Sequence, residues 1–530
     1  MNKRIYFSLL LLFFALNSVY SQWDKQESVL SDHTWYKVGV TEDGVYGIGV
    51  QQLRSLGVDP ATVNPSQIRL FGNVPDVLPE SNAASRFDDL TELAIQVTGS
   101  EDGAFNGDDQ VLFYGQGPAN MKLNMLDYYT YAPNLYSDTV YYFLCIDSGV
   151  EGLRIQEVAP VTTTADDPVV SDFLDYLYQD HDEVSPYASG REWYGDLITA
   201  QEGAESFVFE TPGRVVSKAI RITSKVLGRC KTPFSYNLRL NERVVLNQSP
   251  IAGFGDYEYG KESEVDQAVH SDQESITVRY EINANGSNPM LFVEHFVLHF
   301  WRELRLYQND LGFRLLPSQL RTTSRVLLSD VSAQVRCWDV TNPMQPARQP
   351  LSFQSGNAFF GVAETAERRF HLFAPSGVKA VESLQLIPNQ NLHALMDAEL
   401  LIIAPKVFQG PAEELAEFHR TMDGMTCVLA DIDEIYNEFG TGMHDPTAMR
   451  DFIRMLYLRS EGRLKYVLLM GKASHDYRDL KGLGYNFVPT YESNHKSCLE
   501  VVSVCTDDYF ALMDLDEGQN CEGFVDNVFQ

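Results

Sequence analysis

Four residues in the C-terminal stretch are of the types that make a covalent catalyst: His475, His495, Cys498 and Cys505. A thiol becomes a nucleophile when a nearby imidazole takes its proton, so a Cys–His pair would serve acyl transfer. Only proximity in the chain supports such a pair here. The competing readings are plain loop residues, or a disulfide among Cys498, Cys505 and Cys521. Two acidic, glycine-containing loops offer a second chemistry. They are Glu101-Asp102-Gly103-Ala104-Phe105-Asn106-Gly107-Asp108-Asp109 and Asp514-Leu515-Asp516-Glu517-Gly518. Calcium takes several oxygens from a flexible loop, which makes Asp102, Asn106, Asp108, Asp514 and Asp516 candidate Ca2+ ligands. Neither loop has EF-hand spacing, and the competing reading is a solvated turn. The aromatic residues of Val111-Leu112-Phe113-Tyr114, with Tyr128, Tyr129 and Tyr131, could stack on sugars, but strands carry such residues as ordinary core. The chain has no G-x-S-x-G, H-E-x-x-H or P-loop, and no G-x-G-x-x-G after a strand.

The elements that must position these residues change character near residue 397. Beyond it, Glu399–Ala404 is a continuous apolar run, as expected of a strand buried on both faces. Pro411 opens a helix whose apolar residues are Ala412, Leu415, Phe418 and Met422. Thr426–Ala430 is a second strand. Asp445 and Pro446 cap and start a helix with Met449, Phe452, Ile453 and Leu456 on one face, and Tyr466–Gly471 is a third strand. Alternating strands and helices with short connections predict a parallel sheet flanked by helices. Ligands of such sheets sit beyond the carboxyl ends of the strands, here at Pro405, Asp431 and Gly471. From Trp23 to Gly377 the pattern is instead many short strands with turn signals, predicting sandwiches or barrels. Glu42-Asp43-Gly44 reads as a hairpin turn between Trp35–Val40 and the strand that Val45-Tyr46 begins. The acidic, aromatic stretch Asp172–Asp196 reads as a boundary loop. The expected fold class is a multidomain chain: a β-rich, sandwich-like N-terminal region followed by an α/β domain with a parallel sheet. The segments are 22–170, 171–396 and 397–530.

The 530 residues suit three or four domains, and the ordinary 44% hydrophobic and 22% charged content rules out wholesale disorder. With 41 Lys and Arg against 73 Asp and Glu, the net charge of -32 argues against nucleic acid as a partner. Lys3 and Arg4 followed by an apolar run from Ile5 to Leu16 read as a secretory signal peptide over residues 1–21, too short for a span of ~20 residues. The expected location is therefore exported, at the cell surface or outer membrane or in the periplasm, without a membrane-spanning helix. Seven cysteines are too few for a disulfide scaffold, and an odd number leaves at least one unpaired within the chain.

Several motifs occur in a particular order: Asp43-Gly44-Val45-Tyr46; Asp102 and Asn106-Gly107 before Val111-Leu112-Phe113-Tyr114-Gly115-Gln116-Gly117-Pro118; Tyr466–Gly471 before Ser474-His475-Asp476-Tyr477-Arg478; Val488-Pro489-Thr490-Tyr491-Glu492-Ser493; and Thr506-Asp507-Asp508-Tyr509-Phe510 with Asp516-Glu517-Gly518. The series resembles the type IX secretion sortases of the gingipain-type cysteine peptidase family over essentially the whole mature chain. It departs from the family at Lys472, where an Asp is usual, and at His475, where an aromatic is usual. The resemblance implies a caspase-like α/β domain, present here as its first part. It also implies a Cys–His dyad downstream of Gln530, so that no catalytic residue is assigned within the chain and the chain as given is inactive. It implies cargo proteins with a C-terminal sorting domain as substrates. Outer-membrane secretion components and anionic lipopolysaccharide are the implied partners. The alternative expectation is a non-enzymatic, secreted β-rich binding or scaffold protein of an outer-membrane complex.

Overall fold

Trp35–Val40 is a strand because both of its faces find apolar cover. Tyr36, Val38 and Val40 point into one core, while Trp35 packs with Phe71, Phe143 and Cys145 on the other side. The computed structural model describes residues 23–124, 127–185, 190–255, 258–492 and 505–518. In the first sheet Trp35–Val40 lies between Val140–Cys145 and Ser383–Ile387, antiparallel to both, and Arg69–Gly72 and Thr91–Leu93 extend it. A second sheet pairs Gly44–Gly49 with Gln110–Gly115 and, in parallel, with Lys379–Ala380. The expected hairpin at Glu42-Asp43-Gly44 is therefore a corner instead, since the strands on its two sides belong to different sheets. The Gly115–Pro118 loop closes over this corner. A Cβ on Gly117 would lie 2.6 Å from the Glu42 Cα, an approach only glycine permits.

The Asp172–Asp196 stretch is corrected by the structure. Asp172–Asp180 is a strand, paired along its length with Met290–Glu303. Its acidic composition conceals this because cations on neighbouring strands answer the carboxylates: Asp172 meets Lys218 at 2.6 Å and Asp175 meets Arg302 at 3.0 Å. Phe173 and Leu174 between them are buried. Met290–Glu303 also pairs with Ile220–Arg229, and a facing sheet of Ala204–Phe209, Ile276–Asn283, Phe234–Leu240 and Arg243–Ile251 closes a sandwich. Ile222, Tyr236, Leu238, Tyr280, Phe296 and Leu298 fill it. A second sandwich surrounds Phe313, Val326, Leu328, Phe360 and Phe370. Its strands include Ser324–Leu328, Arg336–Asp339, Asn357–Val362 and Arg368–Phe373.

The C-terminal region is the parallel sheet the pattern predicts. Leu400–Ala404 is the central strand, buried throughout, with Cys427–Asp431 and Tyr466–Leu469 on either side and parallel to it. The helices are Gln409–Phe418, Ile432–Phe439 and Pro446–Arg459. The middle one is short, eight residues, but Ile432, Ile435, Tyr436 and Phe439 stand at helical spacing on its buried face, a signal the sequence carried and the expectation missed. Asp431 caps it by accepting from the Asp433 amide at 3.0 Å, and Asp445 caps the next by accepting from the Thr447 amide at 2.8 Å. Among the described residues no helix is long and apolar enough to cross a membrane.

Candidate functional site

The carboxyl ends of the three parallel strands deliver Pro405, Asp431 and Met470 to one side of the sheet. Burial, followed by the nearby Asp431 charge, pushes Glu434 up to about 7. Asp431 itself is raised by burial against the pull of the Asp433 amide. The loop after the third strand is held by its own motif. The Asp476 carboxylate, 3% exposed, accepts from the Leu480 and Lys481 amides, both at 2.8 Å. Tyr477 donates to the Thr490 carbonyl at 2.7 Å. Arg478 leaves the α/β region and pairs with Asp138 at 2.8 Å and with Asp182, two residues from the β-rich region. His475 stacks on Trp193, ring centroids 6.1 Å apart, and burial followed by Lys481 lowers its pKa. Ser474–Arg478 thus fastens the sheet's carboxyl end to the β-rich region.

Glu492 and Cys505 come together where Tyr491-Glu492 pairs with Cys505-Thr506. Glu492 is wholly buried and accepts a hydrogen bond from the Gly190 amide, and burial pushes its pKa up to about 7. Cys505 is exposed as a residue, but desolvation on the side of its thiol, and then the Glu492 carboxylate, push the thiol up to about 11. A thiol beside an acceptor carboxylate stays protonated, the reverse of what a nucleophile needs. The neighbour of Cys505 is thus a carboxylate, and His475 is engaged with Trp193. His495, Cys498 and Cys521 lie outside the described residues, as do the signal-peptide segment and Gln530. Sequence reasoning passed over Glu492 and Arg478, although both lie inside quoted motifs; their spacing carries no signal of burial or of partners distant in the chain.

The calcium candidates are placed in turns, the first closed on itself and the second held by Asn82, which donates to the Asp514 and Glu517 carbonyls at 2.8 and 3.1 Å. Asp102 accepts from the Ala104 amide at 2.9 Å and from the Asn106 side chain at 3.2 Å, and those two contacts lower its pKa. Asp108, Asp514 and Asp516 are exposed. Glu517 accepts from the Asp514 amide at 2.9 Å. Among the described residues no three His, Cys, Asp or Glu side chains converge as metal ligands. Of the aromatic candidates, Phe113, Tyr114 and Tyr129 are buried core, while Tyr128 and Tyr131 are half-buried.

A three-stranded parallel sheet flanked by helices, behind sandwich-like units, defines a β-rich chain that ends in an α/β region. The model of the family "Peptidase family C25" matches residues 393–529. The fold is that of PorU from Porphyromonas gingivalis, whose structure is described as a dimeric latent form. The likeness has a TM-score of 0.78 at 21% identity and covers 92% of this chain. It covers 46% of that PorU chain, so the present chain spans about half its length. A β-glucuronidase 2 variant from Bacteroides uniformis aligns over 41% of this chain and 27% of its own, at 12% identity and a TM-score of 0.17, too little to bear on the fold. No curated protein matches the sequence significantly.

Proposed function

We propose that this chain is the N-terminal region and first peptidase segment of a PorU-like sortase. In this reading the enzyme removes the C-terminal sorting domain of exported cargo and joins the new end to anionic lipopolysaccharide at the cell surface. The observation that supports it most is the fold likeness over nearly the whole chain, together with the C25 pattern at 393–529. The nucleophile and base come from outside the described residues. A cysteine thiolate attacks the scissile carbonyl, the amine of the sorting domain leaves with a proton from the histidine, and a thioester remains. Water completes hydrolysis, or an amine completes ligation. The chain's own part is architectural: the strand ends form one wall of the site, and Arg478 and Glu492 set its angle to the β-rich region. Calcium has no step in this reading.

The alternative, a non-enzymatic binding protein, draws on one observation, the protonated Cys505 beside Glu492. A thiol-directed irreversible inhibitor, followed by peptide mapping, separates the two. With native full-length protein from exporting cells, the sortase reading expects one labelled cysteine that is none of Cys145, Cys230, Cys337, Cys427 or Cys505, with loss of cargo cleavage. Absence of any labelled cysteine together with normal cargo cleavage would sink it, as would His-dependent labelling of Cys505.

A further inference from the structure

The Asp43 corner lies outside the α/β region and presents a carboxylate in a fixed position. The Gly117 amide donates to one Asp43 oxygen at 2.8 Å, and the Tyr46 hydroxyl pins the turn by donating to the Glu42 carbonyl at 2.9 Å. Asp43 lines a cleft of about 340 Å³ where three units meet. Tyr114 and Gln116 come from the first unit, Asp175 and Tyr176 from the first sandwich, and Arg314, Arg369 and His371 from the second.

The charges in this cleft are unevenly answered. Asp175 has Arg302 at 3.0 Å, and Asp310 has His371 and Lys379, each at 3.5 Å. Asp43 has no ion pair among the described residues and remains exposed to solvent. On the opposite side Arg314 and Arg369 share a single carboxylate, Glu367, at 3.3 and 3.1 Å, which leaves one positive charge over. Two further lining groups, the Tyr129 hydroxyl and the His371 Nδ1, have no hydrogen-bond partner although both residues are at least 97% buried. Buried polar groups are ordinarily satisfied, so both point to a missing partner in the cleft. Desolvation raises the Asp43 pKa, against the Gly117 amide and the more distant charges of Arg314, His371 and Arg369 across the cleft.

We propose that this cleft binds a small zwitterion, a free α-amino acid or a dipeptide, with its ammonium on Asp43 and its carboxylate toward Arg314 and Arg369. One unanswered charge of each sign matches a zwitterion and disfavours a polyanion or polycation. The volume is at the small end of ligand sites, which run from about 300 to 1,000 Å³. Tyr176 and Phe313 offer apolar wall to a side chain. Every lining group sits on or beside a strand, so the site is preformed. The inference stands apart from the sortase reading, since none of these residues belongs to the α/β region.

The test is isothermal titration calorimetry of the purified chain with the free L-amino acids and L-alanyl-L-alanine. N-acetyl-L-alanine, which lacks the ammonium, and L-alaninamide, which lacks the carboxylate, serve as blocked probes. The expected result is saturable binding of at least one zwitterion, weakened about tenfold or more by either block, about 1.4 kcal/mol. Asp43→Asn keeps an oxygen for the Gly117 amide and is expected to weaken binding about as much. Absence of saturable heat up to about 10 mM for every zwitterion, a water-filled cleft only, would overturn the proposal. Equal binding of N-acetyl-L-alanine would also overturn it, and that outcome does not depend on any variant folding.

Discussion

His393 and Glu438 show how single residues hold the α/β region to the rest. Both side chains are wholly buried. Glu438 also accepts from the Leu392 amide at 2.8 Å and from Gln390 at 3.0 Å, and the His393 ring stacks on Phe439 at 4.8 Å. Burial lowers the His393 pKa, but the contacts with Asp88 and Glu438 outweigh it and raise the value to about 9. A folded-state value above the unfolded one of about 6.5 means stability that is complete below about pH 6.5 and lost as pH rises through about 9. Chemical denaturation between those limits should show that loss in the native chain, and it should be smaller in Glu438→Gln, where Asp88 still faces the ring. That substitution removes one of the carboxylates facing a buried imidazolium and should cost about 1–3 kcal/mol at pH 6. At Cys505 the expectation is slow alkylation at neutral pH, because its pKa stands at about 11. Glu492→Gln should speed the reaction with iodoacetamide; an unchanged rate would show that the carboxylate is not what holds the proton. Neither pair was legible in the sequence. His393 and Glu438 lie 45 residues apart, and no local pattern announces such a meeting.

At the scale of elements, the α/β strands were the easiest to read and the acidic strand the hardest. Leu400–Ala404 is apolar on both faces because both are covered, so composition alone identifies it. Asp172–Asp180 resisted because its carboxylates are answered by Lys218 and Arg302, which lie far along the chain. The Glu42–Gly44 turn was recognised as a turn, but turn chemistry does not say whether the two strands pair or part into separate sheets. The Asp445 cap has a double role that the sequence half disclosed: the same carboxylate accepts from the Leu78 amide at 2.8 Å, beyond the helix. Asp445→Ala should therefore cost more than a simple cap, about 2–4 kcal/mol in urea unfolding, against about 1 kcal/mol for a surface cap. Tyr466–Leu469 presents a different hazard. Tyr466 and Val467 are 58% and 39% exposed beside a groove of about 740 Å³ lined by Ile453, Tyr457 and Phe510. An exposed apolar strand at a sheet margin invites pairing with another chain. Val467→Lys should raise the monomer fraction in size-exclusion chromatography while changing stability by no more than about 0.5 kcal/mol.

For the whole molecule, the informative contacts join the ends of the β-rich region. Lys379–Ala380 and Ser383–Ile387 pair into the first unit's sheets after the chain has passed through both sandwiches. Ser28 reinforces this by donating its amide to the Asn391 side chain at 3.0 Å. A fragment of residues 23–170 should therefore expose the Trp35–Val40 strand, bind a hydrophobic dye and aggregate, whereas residues 23–396 should give a folded, monodisperse protein. Equal behaviour of the two in dye binding and light scattering would contradict the pairing.

That closure also imposes an order in time. Trp35 is flanked by Cys145 on one side and by Ile387 on the other. A chain that emerges N-terminus first can form the Cys145 side early, but its first sheet waits, one strand short, until both sandwiches have been delivered. The first unit to be made is thus among the last to be finished, and a stall anywhere within the sandwiches leaves an open strand margin at Trp35–Val40 for a chaperone, a protease or a second copy to find.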